Sequence, residues 1–101
     1  MTQHAITAVI YDRRGKVLSI GQNSYLKTHT TQAKWAIKAG YPEKQFLHAE
    51  IHAIIRCKDL TKAHRIFVAR YNKQGEAGLA MPCPVCMTAI RASGIKHIEY
   101  T

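Results

Sequence analysis

The sequence predicts an α/β domain in which helices pack on a small mixed sheet of about four strands. Three observations carry that expectation. β-Branched apolar runs recur along the chain, segments with apolar residues at helical spacing stand between them, and Gly, Pro and Asp mark the changes of pattern. No repeat, linker or low-complexity stretch interrupts the alternation, so residues 1–101 read as a single domain.

Ala5 to Tyr11 is the first strand. Asp12-Arg13-Arg14-Gly15 ends it and Lys16 to Gly21 resumes strand character, a hairpin signal with a short glycine-containing loop. Thr30 or Thr31 can cap a helix running to Ala39, with Ala33, Ala36 and Ile37 on one face and Gly40 and Pro42 closing it; Trp35 does not fit that face. From Phe46 or Leu47, the positions of Ala49, Ala53, Ile54 and Cys57 predict an amphipathic helix through roughly Asp59, with His48 and Glu50 in its opening turn. Arg65 to Ala69 reads as a third strand and Asn72 to Gly78 as a polar loop. Pro82-Cys83 opens another helix, apolar at Val85, Met87, Ala89 and Ile90, which stops near Ser93-Gly94; Ile95 to Tyr100 is the last strand.

Hydrophobic residues make up 47% of the chain and charged ones 21%, the balance of a soluble globular domain, and no apolar run approaches the ~20 residues of a membrane span. Met1-Thr2-Gln3-His4 does not open a basic-then-apolar leader. Three cysteines, two of them in one CxxC, argue against a disulfide scaffold and for a reducing, cytoplasmic setting. The net charge of +9, from 15 Lys and Arg against 6 Asp and Glu, favours anionic partners. Only Arg13-Arg14-Gly15-Lys16 clusters, and it does so in a turn. A basic surface attracting phosphorylated small molecules is therefore a better reading than a nucleic-acid stripe.

His48-Ala49-Glu50 and, further along, Pro82-Cys83-Pro84-Val85-Cys86 carry the chemistry. Together they match the H-x-E and P-C-x-x-C signature in which His and two Cys hold zinc while the Glu stays free. Catalytic zinc keeps three protein ligands and an open position, whereas structural zinc fills all four; one imidazole and two thiolates make the open set. Cys83 and Cys86 are three apart, so at a helix start their sulfurs project from one side, and the positive helix end favours thiolates. Pro82 and Pro84 are tolerated there because the N–H groups they lack would have no intrahelical partner.

Residues two apart in mid-helix diverge. At a helix start, where the first residue is not yet helical, His48 and Glu50 can face one opening, and Glu50 then suits a base beside a water whose pKa zinc lowers from ~15.7 towards ~7. A lone CxxC is as readily a structural zinc or redox pair, and a lone HxE carries little; their combination in a strand-helix context points to catalytic zinc. With three ligands already supplied, His52 reads as a packing or interface residue. Cys57 reads as a small buried hydrophobe, and His4, His64 and His97 as surface or sheet-edge residues. Structural zinc contributes ~10–16 kcal/mol in small peptides against the ~5–15 kcal/mol net stability of whole domains, so chelation is expected to lower the melting temperature.

These motifs resemble the cytidine deaminase-like superfamily and, within it, the deoxycytidylate deaminases, especially compact phage-type versions. The likeness runs from the first strand to the end, through Gly21-Gln22-Asn23, Lys27-Thr28-His29, His48-Ala49-Glu50-Ile51, Pro82 to Cys86 and Gly94-Ile95-Lys96. The resemblance implies a three-layer α/β/α fold, zinc held by His48, Cys83 and Cys86, and Glu50 as proton shuttle. It makes Asn23 a sugar contact and the Ala49 backbone a donor to the base carbonyl, with Lys27 and His29 as candidates for holding a phosphate.

The implied reaction is hydrolytic deamination of a cytosine nucleotide, dCMP to dUMP, or of a nucleoside. A deaminase acting on cytosine or adenine in single-stranded DNA or RNA is the alternative, since the same chemistry attacks C4 or C6. A non-catalytic zinc-stabilised nucleotide-binding module is the alternative of another class, against which the intact Glu50 argues. The sequence ends directly after the strand reaching Tyr100, so the final strand and helix of larger members are expected to be missing. An exposed sheet edge then favours a homo-oligomer.

Overall fold

In the computed structural model, residues 5–23, 34–35, 37–40 and 48–101 are described. Strand β1 (Ala5–Tyr11) pairs antiparallel with β2 (Val17–Gln22) on one side and with β3 (Arg65–Tyr71) on the other, Ala8 standing opposite Gly21 and Val68. The β1–β2 turn is built by Asp12, whose Oδ1 accepts from the backbone N–H groups of Arg14 (2.9 Å) and Lys16 (2.8 Å). Gly15 completes it at φ 85°, where a side chain would be strained.

The far side of β3 is shared. β4 (Ala77–Gly78) pairs antiparallel with Arg70 and Tyr71, while β5 (His97–Tyr100) pairs parallel with Arg65 to Val68. The sheet is thus mixed, as expected, with five strands where about four are read from the sequence. The additional strand lies inside the expected polar loop. Asn72 Oδ1 accepts from the N–H groups of Gln74 (3.0 Å) and Glu76 (2.9 Å), which turns the chain back onto β3. Two residues are too few for any periodicity to reveal.

Two helices complete the described core, α1 (Ala49–Arg56) and α2 (Pro84–Ala92). Alternation along the strands places Ala8, Ile10, Ile66 and Val68 on one face, and all four are buried in a single cluster with Ala49, Ile51, Ala53 and Ile54 of α1 and Cys86, Ala89 and Ile90 of α2. Both helices therefore form one layer over that face, and each fully buried Ile contributes about 1.5–3 kcal/mol. On the opposite face Val9, Phe67 and Ala69 are half-buried.

Two local expectations are corrected and one is extended. First, α1 stops at Arg56 rather than near Asp59, because Cys57 adopts an extended conformation and the Asp59 side chain accepts from Thr61 N, opening a short 3-10 turn over Leu60–Lys62. An aspartate bonding its own neighbourhood competes with helix continuation. Cys57 is buried, as expected.

Second, Lys34, Trp35, Ile37 and Lys38 are helical, but Ile37 is 63% exposed and Trp35 packs against the core. The larger ring takes the inward position, with the Lys34 and Lys38 amino groups 5.7 and 5.1 Å from its centre. Ala33 and Ala36 lie outside the described residues. Third, His64, half-buried, and His97, exposed on β5, agree with the surface or sheet-edge reading, and their rings also meet edge to face at 4.7 Å because parallel pairing sets β5 beside the start of β3. Among the described residues no helix is long and apolar enough to cross a membrane.

Candidate metal centre

Each helix contributes from its first turn. His48 is the N-cap of α1, with φ −88° and ψ 153°, so it is extended while Ala49 and Glu50 are already helical. That break in conformation lets a side chain two residues before another share its opening. Cys83 is likewise the extended N-cap of α2, followed by Pro84 at the first helical position, and Cys86 follows one turn along.

His48 Nδ1 lies 3.6 Å from Cys83 Sγ and 3.3 Å from Cys86 Sγ, and the three ligand atoms all fall within 4.8 Å of one another. A tetrahedral zinc at ~2.0–2.1 Å from nitrogen and ~2.3 Å from sulfur separates N and S by about 3.6 Å, so the residues fit the ion in both chemistry and spacing. With Nδ1 facing the sulfurs, Nε2 is the nitrogen left to carry the proton.

The thiols are unequal. Cys83 is lowered to about 3, chiefly by the hydrogen bond it receives from Cys86, while Cys86 is pushed well above its ordinary value by giving that bond and by burial. One proton thus serves two sulfurs, and a divalent ion bound by both takes its place. Two helix N-termini add favourable potential for the thiolates.

Glu50 is only 6% exposed. Burial raises its pKa above the ordinary carboxylate value, and its own backbone N–H, the charge of His48 and a hydrogen bond with Cys86 offset part of that rise. A carboxyl in this state holds a proton more readily than an exposed one.

The positions of α1 and β2 are fixed together. A Cβ at Gly21 would lie 2.3 Å from both Ala49 O and Ala53 N, so only glycine lets the helix backbone come this close. Ser19 Oγ donates to Ala53 O at 2.8 Å, and Gln22 N donates to His52 Nδ1 at 3.0 Å. His52 accordingly packs rather than ligates, as expected. Asn23 follows at the end of β2. Its side-chain Oδ1 accepts from Ile6 N (3.0 Å) and its backbone N–H donates to Ile6 O (3.2 Å), which holds Asn23 beside the start of β1.

Ser19 and Gly21 as a point of close approach were not singled out from the sequence. An isolated glycine within a strand pattern was the available signal. Lys27 and His29 lie outside the described residues.

A model of the cytidine and deoxycytidylate deaminase zinc-binding region matches residues 1–101. The chain belongs to that family. Zinc is therefore the cofactor of this deaminase domain, and His48, Cys83 and Cys86 lie together where they could hold it. Membership also bears out the α/β class and the superfamily read from the motifs. No curated protein matches the chain.

Proposed function

We propose that this deaminase acts on a cytosine nucleotide, converting dCMP to dUMP, through one catalytic domain spanning residues 1–101. The observation that carries this reading is the buried Glu50 carboxyl beside a three-ligand His48, Cys83 and Cys86 set. A fourth cysteine or histidine there would have argued for a structural site.

Zinc, when bound, supplies a water acidic enough to attack near neutral pH and positive charge against the developing negative charge. Glu50 accepts a proton from the attacking water and hands one to N3 of the ring. It delivers the next to the departing amine, so that cytosine and water become uracil and ammonia. The N–H of Ala49, the first residue of α1, has no intrahelical acceptor and suits the base carbonyl. Asn23 takes the sugar, held in orientation by Ile6. Lys27 and His29 are assigned the 5′-phosphate on the resemblance alone.

The edge strand β2, with Val17 and Ile20 exposed, supports a homo-oligomer. Three cysteines outside any disulfide agree with a reducing cytoplasm.

Incubation with deoxycytidine, dCMP, dCTP, adenosine and single-stranded oligonucleotides, with products resolved by mass, tests the substrate. dCMP should turn over fastest; equal turnover of deoxycytidine would remove the phosphate from the reading. Glu50→Ala should keep zinc and fold while losing ~10²–10⁴ in turnover, and retained activity would overturn the proton relay.

A further inference from the structure

The end of the molecule opposite the zinc ligands carries a second polar cavity of about 370 Å³, whose lining includes Asp12, Arg13, Arg14, Lys62, His64 and Lys96. Both helices start at the ligand end. α2 leaves Cys83 and finishes before Gly94 on the cavity wall, so its length of about 14 Å separates the two sites. Along β1 the step from Ala8, opposite Gly21, to Asp12 is about 13 Å.

Positive charge is in excess here, with two arginines and two lysines against one acid in the lining and Asp59 near Lys62. Among the described residues the one ion pair is Arg65 with Glu99, at 3.2 Å, so Arg13, Arg14, Lys62 and Lys96 have no carboxylate within reach of an ion pair. Asp12, the single acid of the lining, spends Oδ1 on the turn that presents Arg13 and Arg14. His64 answers to the same field: its pKa falls below the ordinary value, first through desolvation and then through His97, Arg13, Lys96 and Arg65. Four cations brought together by three separate chain segments, against one acid in the same lining, leave a net positive cavity suited to an anion.

We propose that this cavity binds a run of adjacent phosphate groups. A single phosphate would leave most of the four cations unmatched, whereas a chain of phosphates can meet the two arginines of the hairpin and the two lysines of the other segments. The volume lies near the small end of ligand pockets, ~300–1,000 Å³, and suits an oligophosphate more than a bulky base. No step of the deamination is involved, so this site stands or falls separately from the proposed substrate.

Calorimetric titration of the zinc-loaded chain at low salt tests it, with inorganic phosphate, tripolyphosphate and a single-stranded oligodeoxynucleotide as probes and zinc content measured after each. Tripolyphosphate should bind at one site, more tightly than phosphate and more weakly as salt rises. Arg13→Gln combined with Lys96→Gln should weaken that binding by about tenfold while zinc content and basal turnover stay unchanged. Displacement of bound oligonucleotide by tripolyphosphate would name a nucleic-acid strand as the source of the phosphates. Absence of tripolyphosphate binding, binding by the oligonucleotide alone, or undiminished binding by the double variant would overturn the proposal.

Discussion

Helices α1 and α2 bring His48, Cys83 and Cys86 to the same place and share one apolar core, α1 through Ala49, Ile51 and Ala53, but among the described residues α1 has further fixings to the sheet. α1 is locked by polar contacts and by the absence of a side chain at Gly21: Ser19 grips Ala53, His52 grips Gln22, and the helix backbone rests on the strand. α2 is set by apolar burial, with Val85, Ala89 and Ile90 all fully buried. Close backbone approach tolerates no enlargement, whereas side-chain packing tolerates truncation at a graded cost. Glu50 sits on the helix that is held at its backbone, where its place relative to His48, Cys83 and Cys86 is least free to drift.

Gly21→Ala should show this most strongly. The added methyl meets backbone atoms of Ala49 and Ala53, so the expected loss exceeds about 4 kcal/mol, and trimming either side chain cannot relieve it. Thermal melts with zinc stoichiometry read the effect; a stable, zinc-replete variant would mean that α1 is free to move away from β2. On the other helix, Ile90→Ala should cost about 2–5 kcal/mol by denaturant titration, with zinc still bound at saturation. Loss of zinc at equal stability would instead give Ile90 a specific positioning role.

Ser19→Ala isolates one polar grip and should cost about 1 kcal/mol. The smallest effect is expected from Glu50→Gln in the zinc-free protein. Because folding raises the Glu50 pKa, this group favours the fold most below its ordinary 4.5, and the favour is lost as pH rises through the folded value. The amide carries no charge to bury, so the variant should melt above the parent at pH 7, and the gap should close as pH falls below 4.5. A parent more stable than the variant at pH 7 would show that the carboxylate is well compensated in the fold.

Much of this was legible beforehand because it is local. The ligand set, the extended N-cap at His48 and the free Glu50 follow from residue types and helix geometry within short windows. Strands β1, β3 and β5 were visible as β-branched runs, and both helix starts as breaks in pattern. What stayed hidden depends on partners distant in sequence. Gly21 gains its meaning from Ala49 and Ala53, His64 from His97, and the inward turn of Trp35 from a core that no helical window contains. β4 is two residues long and owes its existence to the Asn72 turn.

The parallel pairing of β5 with β3 sets an order of assembly. Parallel neighbours require the chain to cross over between them, and here the crossover contains α2 and with it Cys83 and Cys86. His48 precedes Cys83 by 35 residues, so imidazole and carboxylate leave the ribosome well before either sulfur. The hairpin and α1 precede the crossover in the chain, and the full set of one imidazole and two sulfurs is assembled only when the crossover has closed. Metal that arrives earlier meets the imidazole apart from the two sulfurs, so closure of the crossover decides when all three groups can act on one ion.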